Sequence, residues 1–226
     1  DFRDMLRPAS GFQSWQFKEL EAKLGLKFEQ RHGKEYYTAQ LRTEHVEIIK
    51  KAEGSKSLLQ LLNVWLERMP FLKEGADNSF WDNYKKVYQD SLAEAEKNNL
   101  SAFEEMFNSG SINTERTLSP EACRAALFIM LYRGYPLLQL PFQLLNALLE
   151  IDEQLSSWRH RHMNMVHRMI GMRIGTGGST GKDYLKAAAD KHYIFKEIAQ
   201  LNSFLIERRK LPTLPVEIEK QLGFGL

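Results

Sequence analysis

Hydrophobic residues recur along this chain at spacings of three and four, the period of one face of an α-helix, and no convincing run alternates as a half-buried strand would. Ser10 and Gln13 have the spacing of a capping box and open a helix that carries Phe17, Leu20 and Leu24 inward and stops at Gly25. Residues 35–53 read as an amphipathic helix halted by Gly54-Ser55. Leu58, Leu59, Leu61, Leu62, Trp65 and Leu66 mark another, ended before Pro70. From Phe80 to Phe107 the pattern is more polar, with Trp81, Tyr84, Val87, Tyr88 and Leu92 on one side. It predicts an outer helix or helix pair broken near Asn98-Asn99. Asn108 to Thr117, rich in Ser, Asn and Gly, reads as a connector. Ser119-Pro120-Glu121 then starts a helix with Ser as N-cap and Pro at its first position. Its apolar run, through Ala126, Phe128, Ile129 and Leu131, places it centrally.

The next helix carries the longest pattern. Positions 144, 148, 151, 155, 158, 162, 165 and 169 are Leu, Leu, Ile, Leu, Trp, His, Met and Met. Steps alternating between four and three are the seam of a helix packed along its length, and His162 is its one polar member. Two further helices are predicted at about 182–191 and 194–208, with the Pro-containing tail on the surface. The expected fold class is all-α: a helical bundle over 1–226 as a single domain, with 70–118 a more polar outer insertion.

Composition narrows the function classes. With 226 residues and 43% hydrophobic positions the chain can bury a sizeable core. Its 31 Lys+Arg against 29 Asp+Glu leave a net charge of +2, too balanced and too scattered for a nucleic-acid surface. Cys123 stands alone, which excludes an intrachain disulfide and a cysteine-based zinc site and fits a reduced, cytoplasmic compartment. The most apolar stretch, Ala125 to Leu149, is interrupted by Arg133, Pro136, Pro141 and Gln143, so no simple membrane span is expected. The chain opens at Asp1 already inside motif-like sequence, which predicts residues upstream; a processed terminus is the alternative.

His162 is the first candidate for chemistry. A histidine on an apolar stripe is commonly a hydrogen-bonded core residue, and a ligand reading stands beside that one. Burial favours the neutral imidazole that ligation needs. His160 and His167 share a helical face with each other but not with His162, a poor geometry for a three-histidine zinc centre. A haem asks for one axial imidazole and a flat apolar slot, and is the better metal hypothesis. Gly175-Thr-Gly-Gly-Ser-Thr-Gly181 fails the phosphate-loop template, because Thr176 stands where glycine is needed and Asp183 follows Lys182. What remains is either a plain turn or a loop whose Thr176 hydroxyl and backbone N–H groups would hold a carboxylate. Arg3 and Arg7 bracket the opening segment, and a guanidinium can clamp a carboxylate through paired hydrogen bonds.

In order along the chain, Asp1-Phe-Arg3, Pro8-Ala-Ser-Gly-Phe-Gln-Ser14, Trp65-Leu-Glu-Arg68, Pro141-Phe-Gln-Leu-Leu145, Trp158-Arg159 with His162, Met165-Val-His-Arg-Met-Ile-Gly171 and Gly175-Thr-Gly-Gly-Ser179 resemble the tryptophan 2,3-dioxygenase family. The spacing between first and last motifs looks more like its animal-type members than its compact bacterial ones. The resemblance implies a helical bundle around a haem b pocket, in which L-tryptophan and O2 give N-formylkynurenine by opening the indole C2–C3 bond. It implies His162 as proximal iron ligand and Trp158 packed at the haem edge. Arg3 would pair with the substrate carboxylate and Thr176 would hold its ammonium and carboxylate. Ser10, Gly11 and Gly175 would line the pocket. A homotetramer, with neighbouring subunits completing each pocket, is also implied.

One motif of the family has no match. Its distal histidine, in a His-Gln-Ala-Tyr-Glu-Leu-Trp-Phe-Lys-type segment, is expected upstream of Asp1, so no catalytic residue is assigned within the chain. A non-catalytic helical scaffold of the same fold, and a haem dioxygenase acting on another indole, are the alternatives.

Overall fold

The computed structural model describes residues 15–26, 38–39, 41–71, 78–107, 117–170 and 193–223, and among them the regular structure is helical, without strands. The α-helices are α1 (Trp15–Leu24), α2 (Thr43–Glu53), α3 (Leu58–Glu67), α4 (Asn78–Ser91), α5 (Asn98–Phe107), α6 (Pro120–Leu131), α7 (Pro136–Ile170), α8 (Lys196–Gln200) and α9 (Val216–Leu222). No helix among the described residues is long and apolar enough to cross a membrane. The chain divides into two compact units, Asp1–Leu61 with Ile151–Ile194 and Leu62–Glu150 with Phe195–Leu226.

In the first unit, α1 ends where the sequence places its cap. Gly25 has φ +143, a conformation L side chains rarely adopt. Its N–H and that of Leu26 both donate to the Glu21 carbonyl at 3.0 Å, satisfying a helix-end acceptor. A Cβ on Gly25 would lie 2.6 Å from Leu59 Cβ. Gly25→Ala is therefore expected to cost about 1–3 kcal/mol, read as a lower urea midpoint at unchanged slope. An unchanged midpoint would refute the tight approach. At the end of α2, Ser57 and Gln60 exchange backbone-to-side-chain hydrogen bonds at 2.9 and 3.2 Å and start α3. Lys23 donates to the Ala52 carbonyl, and at 3.1 Å to the Ser55 carbonyl, covering the C-terminal end of α2.

The second unit is built on α6, whose Ala122, Cys123 and Ala126 to Met130 are all buried. Ser119 is its N-cap: the hydroxyl accepts from Ala122 N–H at 3.2 Å and donates to Glu67 Oε1 at 2.7 Å, while the Ser119 N–H donates to Asn63 Oδ1 at 2.8 Å. Ser119→Ala removes the cap and the Glu67 contact, an expected loss of about 1–2 kcal/mol in denaturant unfolding. A loss within error would mean that water replaces both. Helices α4 and α5 carry the one-sided aromatic pattern seen in the sequence, and on it Tyr84, Tyr88, Phe103 and Phe107 are buried while Trp81, Val87 and Leu92 are half-buried. Tyr88 and Phe103 stack at 5.1 Å between centroids, and Phe204 meets Phe103 edge-on at 5.5 Å. The break falls earlier than Asn98-Asn99: α4 ends at Ser91, a short 3-10 turn spans Glu94–Glu96, and the asparagines open α5.

Two expectations near the C-terminus need correction. The helix expected over 194–208 is only α8, continued by a 3-10 turn at Leu201–Phe204 and then extended backbone at Leu205. The Phe204 carbonyl accepts from Tyr84 Oη at 2.5 Å and the Ser203 carbonyl from Tyr88 Oη at 3.1 Å, so tyrosine hydroxyls take acceptors a continuing helix would have used. Burial pushes the Tyr84 and Tyr88 phenols above their ordinary range, keeping both as donors. The tail is also less superficial than expected. Tyr132 Oη donates to the Pro212 carbonyl at 2.6 Å, and Leu214 and Leu222 are buried.

Candidate functional site

The described candidates lie on α7, a 35-residue helix that continues through Pro141. The seam expected at 144, 148, 151, 155, 158, 162 and 165 is not the most buried line on it. Leu138, Leu145, Leu148, Asp152 and Arg159 are buried, whereas Leu144, Trp158 and Met165 are exposed and His162 is half-buried. The packed face is thus rotated toward two charged positions that a hydrophobic count assigns to solvent.

Each charge has a partner. Arg159 Nη2 donates to Glu21 Oε1 of α1 at 2.5 Å, with side chains only 2% and 4% exposed. Asp152 Oδ1 accepts the Ile194 backbone N–H at 3.0 Å. Glu21 itself corrects the reading of α1. Leu20, expected inward, is 48% exposed, and Glu21 is buried in its place, between the half-buried Phe17 and Leu24. Position 21 lies four after Phe17 and three before Leu24, so periodicity marks it as interior. Its charge masks that position in a purely hydrophobic pattern.

Around His162 the rings are ordered. Trp158, one turn earlier, lies nearly parallel to the imidazole, with centroids 5.3 Å apart and planes at 12°. Phe17 of α1 stacks on Trp158 at 4.5 Å and 26°. Burial pushes the His162 pKa below its ordinary value, which favours the neutral ring. Face-to-face stacking leaves the in-plane edge of an imidazole, where its nitrogens point, uncovered by the stacking partner. Trp158, whose indole covers one face of the ring, is itself partly open to solvent. One neutral imidazole, half-buried and stacked on an indole, is a donor of the kind an axial position on haem requires, so the residues present fit that group. His160 is exposed on another side, its Nδ1 3.0 Å from the Ser156 carbonyl.

Trp158 and His162 lie one turn apart on α7 with their rings stacked on each other. Arg3, Ser10, Gly11, Gly175 and Thr176 lie outside the described residues, as do the capping box at Ser10 and Gln13, Arg7, the loop through Gly181, the helix expected at 182–191 and the side chain of His167. Glu21 beside this site has no counterpart among the residues the sequence singles out, and neither the Phe17–Trp158 stack nor the Glu21–Arg159 pair is signalled locally.

The family model for "Tryptophan 2,3-dioxygenase" matches residues 1–109 and 101–205. A tryptophan 2,3-dioxygenase of Bdellovibrio bacteriovorus is 38% identical over 99% of this chain and 70% of its own length. One from Alteromonas mediterranea is 40% identical over 100% of the chain and 70% of its own length. Tryptophan 2,3-dioxygenase A of Danio rerio is 39% identical over 95% of the chain, which spans 59% of that relative. These identities do not separate bacterial from animal members.

Proposed function

Because the chain belongs to the tryptophan 2,3-dioxygenase family, we propose that the protein carrying it is a haem-dependent dioxygenase that cleaves the indole C2–C3 bond of L-tryptophan to N-formyl-L-kynurenine. The observation that carries the reading is the ordered match across nearly the whole chain, which spans the segments of Arg3, Ser10, Gly11, Trp158, His162, Gly175 and Thr176. The neutral, half-buried imidazole of His162 supports it.

Haem b, when bound, would supply the iron at which dioxygen is activated. His162 would hold that iron as its proximal ligand, and Trp158 would pack at the haem edge. Arg3 would pair with the substrate carboxylate, and Thr176 would fix the ammonium and carboxylate through its hydroxyl and backbone N–H. Ser10, Gly11 and Gly175 would line the slot. Such a clamp reads only the amino-acid moiety, so discrimination among amino acids rests on the apolar slot for the indole. Fixing the substrate at one end and excluding water at the other is the protein's share of the catalysis. A homotetramer would complete each pocket from neighbouring subunits.

The test is haem reconstitution of the whole natural polypeptide, followed by turnover under reducing conditions in air. N-formylkynurenine formed from L-tryptophan, and much less product from tryptamine, which lacks the carboxylate, is the expected result. A protein that stays colourless after haem addition overturns the reading in favour of a helical scaffold. Product of another indole in place of N-formylkynurenine overturns the substrate assignment alone.

A further inference from the structure

The chemistry proposed for His162 asks more than a ligand on a helix: the plane of the imidazole must be fixed, because ring orientation governs how an axial histidine binds iron. Metal-bound histidines are commonly oriented by a hydrogen bond to the far ring nitrogen. Here the described geometry offers a second device, on the ring face. Trp158 lies against the imidazole at 5.3 Å and 12°. An indole with one face toward a histidine and the other open would itself be free to rotate, and Trp158 is 38% exposed. Its other stacking partner is Phe17, at 4.5 Å and 26°, on a different helix.

Helix α1 holds that position through a second point. Glu21, one turn after Phe17, forms the buried ion pair with Arg159, the residue that follows Trp158. The two contacts are one residue apart on α7 and one turn apart on α1. Together they fix both the rotation and the register of α1 against the turn that carries Trp158. A buried pair with so short a separation has little freedom to slide, since displacement would strand two charges.

We propose that Phe17 is a positioning residue for the axial ligand: stacked on Trp158 and held in register by Glu21–Arg159, it sets the orientation of the His162 ring. This rests on the haem reading for the consequence at iron, but the ring order itself belongs to the protein alone. Phe17 is half-buried, so Phe17→Leu keeps an apolar side chain there and removes only the stacking surface.

The experiment compares wild type, Phe17→Leu and Phe17→Tyr by two readouts. The first is the ring-current displacement of the His162 imidazole protons by NMR in the haem-free protein. The second is the Fe–His stretching frequency by resonance Raman, with the haem dissociation rate, in the ferrous reconstituted protein. Phe17→Leu is expected to reduce the ring-current displacement, broaden or shift the Fe–His band and speed haem loss about 2- to 10-fold, the range of one aromatic pair. Phe17→Tyr is expected to restore all three. An Fe–His band and imidazole shifts unchanged in Phe17→Leu overturn the proposal, even if melting temperature falls, because that pattern is packing without positioning. Should no variant bind haem, the haem reading fails on its own; the NMR comparison still decides whether Phe17 orders the His162 ring.

Discussion

His162→Ala is expected to abolish the spectrum of a histidine-ligated haem in the reconstituted protein, while far-UV circular dichroism stays that of a folded helical chain. The side chain is half-buried, so its removal leaves a modest void, but it takes away the one imidazole that α7 presents beside Trp158. Losing a partner that only supports a ligand typically weakens metal binding about 10–100-fold, and losing the ligand should exceed that. Added imidazole should restore part of the Soret band by occupying the vacated space. An unaltered Soret band and ligation spectrum in His162→Ala would falsify the assignment.

The same residue gives a pH dependence whose sign is fixed by its burial. In the unfolded chain the imidazole titrates near 6.5, and in the folded chain below that. As pH falls through 6.5 the unfolded state takes up a proton that the folded state still refuses, so stability falls there and levels off below the folded-state pKa. Above 6.5 the contribution is complete. In the haem-free protein, thermal melts of wild type and His162→Leu should therefore diverge in shape below pH 6.5. Parallel profiles would show that the ring is solvated in both states.

The larger stability effect is expected at Glu21 and Arg159. Their side chains are 4% and 2% exposed, joined at 2.5 Å, so truncating either leaves a charge with almost no water. Breaking a buried pair of this kind costs about 3–5 kcal/mol, against about 0–1 for an exposed pair. Glu21→Ala and Arg159→Ala should each lower the urea midpoint strongly. The double variant should cost much less than the sum of the singles, because it strands no charge. Single costs below about 1 kcal/mol, with additive behaviour, would mean that solvent reaches the pair.

Much of the helix map needs no tertiary information. Gly25 ends α1 because the cap requires a positive φ, Ser119 and Pro120 begin α6 because one supplies an acceptor and the other a ready φ, and α3 stops just short of Pro70. These are signals carried within a few residues of where they act. The pairing of Trp158 with His162 is equally local, since residues four apart on a helix are neighbours.

Interior charges and the anchored tail carry no such local signal. Asp152 and Arg159 lie on the packed face of α7, Glu21 displaces Leu20 on α1, and the tail at Pro212 is anchored under Tyr132. Family resemblance, too, was legible in the order of short motifs, because those motifs are contiguous. Sequence alone thus determined the helical class, those locally signalled helix ends, the family and His162 as the residue to examine. Only the tertiary structure decided which face of α7 is packed, that Glu21 neutralises Arg159, and that Phe17 completes the stack on Trp158. The reason is distance along the chain: an interior charge is tolerable only if an opposite charge or a backbone donor meets it, and these partners come from segments far away in sequence.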